Sequence, residues 1–224
     1  MKKREDELIA VALGDAEPSP QMRLWLNSAA AQRELGAYRK ALGMLNKLYG
    51  DAALSRSRPV AYYTVMRTPV GRLFVAATDA GLVRVSFDAS EASFVADLKR
   101  RLKLEVVKSA ERLAGIVAQI EAYFAGTRRA FDVPIDLSHA TPFQREVLMM
   151  ARHVPIGQVV TYGDIARRIG QPKASRAVGQ ALGHNPVPIV IPCHRVVASG
   201  GGLGGYSGGM SIKIQLLKME GAYP

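Results

Sequence analysis

One cysteine and four histidines are all that the 224-residue chain offers a soft metal. A lone thiol cannot close an intrachain disulfide. With only His139, His153, His184 and His194 to accompany it, a cysteine-based zinc site is excluded, and no metal or other cofactor is expected. No apolar run approaches the roughly 20 residues that a membrane helix needs, so no membrane partner is expected. The opening Met1-Lys-Lys-Arg-Glu-Asp-Glu7 turns acidic before any long apolar stretch, which is not the order of a secretory signal. An unpaired thiol fits a reducing compartment, and a cytoplasmic location is expected. Acidic residues are scarce too, and unevenly so. Residues 1–58 hold 10 basic and 7 acidic side chains (net +3), residues 59–139 hold 11 and 9 (net +2), and residues 140–224 hold 9 and 3 (net +6). The total of +11 is thus concentrated in the last third, and that third points to a nucleic-acid partner. Apolar residues make up 48% of the chain, enough for real cores in one or two domains and too many for a disordered protein.

Three segments differ in pattern. Residues 1–58 read as a helical extension. Leu8 to Leu13 is one short apolar segment, Pro18-Ser19-Pro20 interrupts it, and Ser19 is placed to cap a helix that has Pro20 at its first position. Met22 to Leu48 then repeats apolar residues at three- and four-residue steps, and Gly50 to Pro59 reads as a linker. Residues 59–139 read as an α+β domain. Val60–Val65, Leu73–Ala77 and Leu82–Phe87 are separated by turn signals and predict a three-stranded antiparallel meander. Helices are expected at 90–102 and 110–124, with a last strand at 131–136. No catalytic constellation is visible there, and it reads as a structural partner. Residues 140–224 read as mainly helical. Thr141-Pro142 starts one helix, Thr161 caps a second, and Gly170-Gln-Pro-Lys173 turns into a third from Ser175 to His184, which together make a helix-turn-helix. Arg167, Arg168, Lys173 and Arg176 tilt that motif toward DNA.

The cysteine stands in Pro192-Cys193-His194-Arg195-Val196, after the apolar run Val187–Ile191. Alone it is either an inert core residue or a nucleophile, since a thiol attacks carbon only as thiolate and needs a base. His194 is the nearest candidate. In extended backbone, neighbouring side chains point apart, so a direct pair needs a turn, and a bridging water is the other solution.

Six pieces stand in order around this motif: Gly157-Gln-Val-Val-Thr-Tyr-Gly163, Arg176-Ala-Val-Gly179, Asn185-Pro186, Pro192–Val196, Tyr206-Ser-Gly-Gly209, and Lys213 through Leu216-Leu217 to Glu220. In these the chain closely resembles the O6-alkylguanine-DNA alkyltransferases (methylated-DNA–protein-cysteine methyltransferases). The likeness covers about residues 59–221, more weakly before Gly157. It implies a two-domain fold whose C-terminal part, residues 140–224, is winged-helix-like and carries both DNA-binding and active-site residues. It also implies DNA repair by stoichiometric transfer of an alkyl group from O6-alkylguanine, and also O4-alkylthymine, to Cys193 after nucleotide flipping. The expected partner is double-stranded DNA carrying the lesion, in the cytoplasm or, in a eukaryote, the nucleus, with a monomeric protein. By the same resemblance Glu220 orients His194, His194 draws the Cys193 proton through water, Asn185 hydrogen-bonds near the sulfur, and Tyr162 pushes a phosphate and donates to a ring nitrogen. Arg176 fills the space that the flipped base leaves. Ala177, Gly179 and Gln180 form a small-residue surface for the minor groove, and Leu182, Val196, Tyr206 and Ser207 line the base pocket. Phe143, Gln144, Gly163, Gln171, Arg195 and Ser199 complete the DNA-contacting set. The rival reading is a non-catalytic binder of alkylated DNA or a regulatory protein, which the presence of Cys193 opposes.

Two features depart from the pattern. Leu203-Gly204-Gly205 stands where relatives often carry a larger polar residue, which is expected to loosen the pocket toward bulkier alkyl groups. The extension, from Leu8 through Leu35, resembles the helical module of zinc-binding anti-sigma factors. Trp25, Ala29 and Gln32 replace its ligands, so it would be a metal-free derivative with a protein partner of its own; the alternative is a plain helical appendage.

Overall fold

The computed structural model describes residues 7, 8, 11, 17–49, 60–87 and 90–223, the side chains of 42–49 excepted. The linker expected at 50–59 and most of the first apolar segment lie outside the described residues. Two units separate, Met1–Ser57 and Arg58–Pro224.

In the first unit, Ser19 caps α1 (Pro20–Leu26) by accepting from the Met22 N–H at 3.2 Å, with Pro20 inside the first turn. The three- and four-residue pattern does not run on as one helix. Asn27 closes α1, and Ser28 accepts from the Ala31 N–H at 3.2 Å to start α2 (Ala29–Tyr49). Ser28 bonds to backbone through a short polar side chain, which favours a helix end over an interior. Leu8, Met22 and Leu35 form a small core, with Trp25 and Tyr38 packed on it.

The second unit begins with a sheet of β1 (Val60–Thr68), β2 (Gly71–Thr78), β3 (Gly81–Phe87) and β4 (Glu105–Lys108), in the order β3-β2-β1-β4. The expected meander is there. The fourth strand, parallel to β1, was not expected, because four residues of mixed polarity carry no period-two signal. Conversely, 131–136 is not a strand. Ile135 makes one isolated bridge to Leu82, and Pro134, without an N–H, offers only its carbonyl to the Leu82 N–H at 2.8 Å. β2 is buried along Leu73–Ala77 because both faces are covered. Phe74 and Ala76 meet Phe94 and Leu98 of α3 (Glu91–Arg101), while Leu73 and Val75 face the larger core with Ile120 and Tyr123 of α4 (Ala114–Phe124).

That larger core continues without a break past residue 140. It takes in Val147 and Leu148 of α5 (Pro142–Arg152), Ile165 of α6 (Tyr162–Arg168), Val178 and Leu182 of α7 (Ser175–Gly183), and Leu216 of α8 (Met210–Met219). Two short strands, β5 (Val160–Thr161) and β6 (Val196–Val197), pair in parallel. The pairing sets the start of the helix-turn-helix beside the residues that follow the cysteine. The free edge of β3 is closed by the segment before the cysteine, with the Val85 N–H donating to the Pro186 carbonyl at 2.8 Å.

Candidate active site

Cys193 opens a single 3-10 turn, Cys193–Arg195, and is 5% exposed. Asn185 builds the loop before it. Its side-chain carbonyl accepts from the Val187 N–H at 3.0 Å, and its amide donates to the Ile191 carbonyl at 2.8 Å and to Cys193 Sγ at 3.0 Å. These bonds hold a loop in which buried Ile189 has φ +74°, a left-handed conformation that a β-branched residue adopts only when its surroundings over-determine it.

The turn sends His194 and Arg195 inward, onto one carboxylate. The side chains of His194 and Glu220 have no exposure, and their Nε2 and Oε1 atoms are 3.0 Å apart. Arg195 donates from Nε to Glu220 Oε2 and from Nη2 to Oε1, both at 2.8 Å, and from Nη1 to the Val154 carbonyl at 2.5 Å. Tyr123, from α4, donates its hydroxyl to Oε1 at 2.6 Å. Burial alone would raise the Glu220 pKa, but the bonds from His194 and Arg195 outweigh it and pull the carboxyl down to about 2. An ionised carboxylate only accepts, so Nε2 carries the ring proton and Nδ1 is the basic atom. Nδ1 is buried with no hydrogen-bond partner among the described residues. Burial lowers the His194 pKa against the pull of Glu220, which keeps the ring neutral at neutral pH.

The thiol itself is pushed up to about 11 by burial, opposed chiefly by the Asn185 hydrogen bond and then by the charge of Lys213. Lys213 is wholly buried on α8 and donates to the Val196 carbonyl at 2.7 Å and the Leu203 carbonyl at 2.6 Å. Burial draws its pKa down to about 8.

Above the sulfur lies a cavity of about 1000 Å³. Of the expected residues, Cys193, Tyr162, Gly163, Arg176, Gly179, Gln180, Leu182, Ser199, Tyr206 and Ser207 line it. Thr161 positions Tyr162 at the first turn of α6 through a reciprocal cap, accepting from the Asp164 N–H at 3.1 Å while its own N–H donates to Asp164 Oδ2 at 2.7 Å. The Tyr162 ring then lies between Gly179 and Gly204. A Cβ on Gly204, where φ is +68°, would stand 2.6 Å from the Tyr162 hydroxyl. The room expected from the missing side chain at 204 is therefore already filled by Tyr162, and only the Gly205 side is open.

Other expected contacts lie elsewhere. Arg195 serves the carboxylate instead of facing solvent, because the 3-10 turn buries it. Val196 is fully buried in the β5–β6 pair, off the cavity wall. Phe143 packs on the core. Gln144 closes the capping box with Thr141 and lines a separate cavity of about 590 Å³. Ala177 and Gln171 belong to the helix-turn-helix but not to the wall, with the Gln171 N–H bonded to the Ala166 carbonyl at 2.9 Å. His194, Glu220 and Asn185 stand behind the sulfur. Sequence reasoning missed Tyr123, 97 residues from its carboxylate, and the part played by Lys213, whose signal is a charge three and four residues before Leu216 and Leu217 on a buried stripe.

Fold and site together describe a protein that presents one buried thiol, backed by a histidine and a carboxylate, at the floor of a cavity walled by a basic helix-turn-helix. Residues 142–222 match the DNA binding domain of 6-O-methylguanine DNA methyltransferase, and residues 61–137 match its ribonuclease-like domain. The methylated-DNA–protein-cysteine methyltransferase of Methanosarcina acetivorans is 41% identical over 165 residues, which cover 72% of this chain and 99% of that protein. The constitutive enzyme of that name from Bacillus subtilis is 39% identical over 160 residues, covering 71% and 94%. The Mycobacterium tuberculosis O6-methylguanine methyltransferase superposes with a TM-score of 0.62 at 37% identity over 74% of this chain and 95% of that one, and a structure of the same organism's protein in complex with DNA does so at 36% identity. The chain belongs to the methylated-DNA–protein-cysteine methyltransferase family. Both family matches begin after the helical extension.

Proposed function

We propose that this protein repairs DNA by transferring the alkyl group of O6-alkylguanine to Cys193 in a single, irreversible turnover. Direct alkyl transfer is the activity of its family, and the assignment of roles to residues follows from the site. The observation that carries it is Cys193 Sγ at the floor of the cavity, held by Asn185 and backed by the His194–Glu220 pair.

At rest the sulfur is a neutral thiol. With its pKa near 11, only a few molecules in ten thousand would be thiolate near pH 7.5. The proton leaves for His194 Nδ1 through a bridging water, and Glu220 stabilises the imidazolium that forms. Sγ then attacks the alkyl carbon as the bond from that carbon to O6 breaks. The Asn185 amide steadies the developing thiolate, and Tyr162 donates a hydrogen bond to a ring nitrogen of the departing guanine. The product is an S-alkylcysteine, and none of the wall residues is placed to hydrolyse it.

The lesion lies inside the stack, so the nucleotide must be flipped, at an expense of a few kcal/mol. Arg176, exposed at the second position of α7 and on the cavity wall, is suited to fill the vacated space. The small residues of α7 suit close approach along the minor groove, where little sequence is read. Duplex DNA carrying the lesion is the partner, and the protein acts as a monomer. Residues 1–58 are read as a helical extension, either a plain appendage or a module with a protein partner. No described helix is long and apolar enough to cross a membrane.

Incubation with an O6-methylguanine duplex followed by peptide mass spectrometry tests the reading. The peptide holding Cys193 should gain the mass of one CH2 unit. A folded protein that binds the duplex and gains nothing would instead be a non-catalytic binder.

A further inference from the structure

The α+β part carries no group that touches the cavity chemistry, yet it reaches the carboxylate behind it. We propose that Tyr123 is a positioning residue of the transfer reaction: its hydroxyl shares Glu220 Oε1 with the His194 ring and so limits how strongly the carboxylate draws on the ring proton. This rests on the reading of His194 as the base.

The sharing is uneven. Oε2 accepts one bond, from Arg195 Nε at 2.8 Å. Oε1 accepts three: Tyr123 at 2.6 Å, Arg195 Nη2 at 2.8 Å and His194 Nε2 at 3.0 Å. The shortest of the three is the tyrosine's. An ionised carboxylate offers about two lone-pair sites on each oxygen, so three donors on Oε1 compete and each weakens the others' bonds to it. The Glu220 and His194 side chains are fully buried and Tyr123 is 1% exposed, so water cannot replace a missing donor freely. The charged and titratable groups around the pair are few: Arg195 and Cys193 on the turn, Lys213 on α8, Tyr206 on the loop before it, and Tyr123 on α4. Among these Tyr123 is the neutral donor to Oε1, and burial raises its pKa, so it stays a donor across the working range.

The ring is held without its hydroxyl. Phe124 meets it edge-on at 5.2 Å and Phe131 at 5.4 Å between centroids, and it lies in the main core. Tyr123→Phe therefore removes one hydrogen-bond donor and little packing. With that donor gone, Glu220 pulls harder on the imidazolium, and His194 becomes the stronger base.

The test is the titration of the His194 ring by NMR in the full-length, unalkylated protein, with the signal assigned by its loss in His194→Gln. In Tyr123→Phe the midpoint should move up by about one pH unit, a tenfold gain in proton affinity. In protein carrying 3-fluorotyrosine at 123 alone, a stronger donor of nearly the same shape, it should move down. An unchanged midpoint in the folded Phe protein, or an upward shift with fluorotyrosine, overturns the proposal. Should the Phe protein fail to fold, the fluorotyrosine protein decides by itself. The acid limb of the transfer rate is measured alongside. If the ring titration moves and that limb does not, Tyr123 sets the proton affinity of His194, but the assignment of His194 as base falls and with it the role of Tyr123 in transfer.

Discussion

Replacing Glu220 by glutamine keeps the shape of the side chain and removes its charge, and the consequence can be worked out in two ways. The carboxyl titrates at about 2 in the folded protein against 4.5 for a free glutamate. At 1.36 kcal/mol per unit, this difference corresponds to about 3 kcal/mol of stability at neutral pH. Independently, the side chain is fully buried against a 6%-exposed Arg195, and stripping one partner from a buried ion pair costs roughly 3–5 kcal/mol. The two routes agree on about 3 kcal/mol, or a fall in Tm of about 6–12 °C for a unit of this size. The sign of the pH dependence follows from the depressed pKa. The contribution is complete above the unfolded value of 4.5 and is lost as the pH falls through 2. Urea unfolding of both proteins at pH 7 and at about pH 2.5 should therefore show a gap of about 3 kcal/mol that largely closes in acid, with similar m-values. Other carboxylates titrate in both proteins and cancel. A gap below 1 kcal/mol at pH 7, or one equally wide in acid, would refute the idea that His194 and Arg195 hold this carboxylate ionised.

Other outcomes follow from the same geometry. Arg176→Ala should slow repair in duplex DNA far more than reaction with the free alkylated base, in paired single-turnover assays; equal losses would remove its role in flipping. Gly204→Thr places a Cβ 2.6 Å from the Tyr162 hydroxyl, inside contact distance, and adds about 1–3 kcal/mol of backbone strain at φ +68°. Thermal melts should show that loss, and transfer should slow as the tyrosine is displaced; an unchanged rate would mean that Tyr162 is not needed where it lies. Asn185→Ala removes three hydrogen bonds from the loop that carries the thiol. It should lower stability by about 1–3 kcal/mol and slow transfer at every pH; a loss of stability alone would confine Asn185 to bracing the loop.

Local chemistry made much of this legible. Thr161 is a helix cap and Ser19-Pro20 a helix start, and both hold in the structure because caps depend on neighbours only. The meander was legible because its strands are apolar, β-branched and aromatic runs separated by turn signals. β4 was not, since Glu105–Lys108 takes its place by pairing with a strand more than 40 residues earlier, a partner chosen by tertiary packing. The same limit applies at the site. Cys193, His194 and Glu220 could be named from an ordered set of motifs, but Arg195 reads as one more basic residue in a basic segment. Only the 3-10 turn shows that its guanidinium is spent on the carboxylate. The α+β part looked purely structural because its one contribution, the Tyr123 hydroxyl, depends on α4 and the end of α8 meeting in space.

The thiol's high pKa looks at first like a defect in a nucleophile, and the geometry suggests why it is not. A protein that reacts once must not be consumed by stray electrophiles or oxidants, and a neutral, nearly inaccessible thiol is slow toward both. The groups that help the thiolate are already in place: Asn185 at 3.0 Å, the charge of Lys213, and a neutral histidine whose proton-accepting nitrogen is buried without a partner among the described residues. What they lack is an alkyl carbon in line with the sulfur. An everted base that fills the cavity supplies it and excludes bulk solvent, and in a drier site the hydrogen bond from Asn185 and the charges of Lys213 and the imidazolium act more strongly on the thiolate. Reactivity is thereby tied to occupancy. It follows that a small thiol reagent should modify Cys193 more slowly than free cysteine at neutral pH, with the rate rising only as the pH nears 11, while transfer from the duplex proceeds well below that pH. Measuring both rates against pH on one preparation would separate the two regimes. If the reagent and the duplex gave the same profile, the sulfur would be intrinsically activated and the link to occupancy would be wrong.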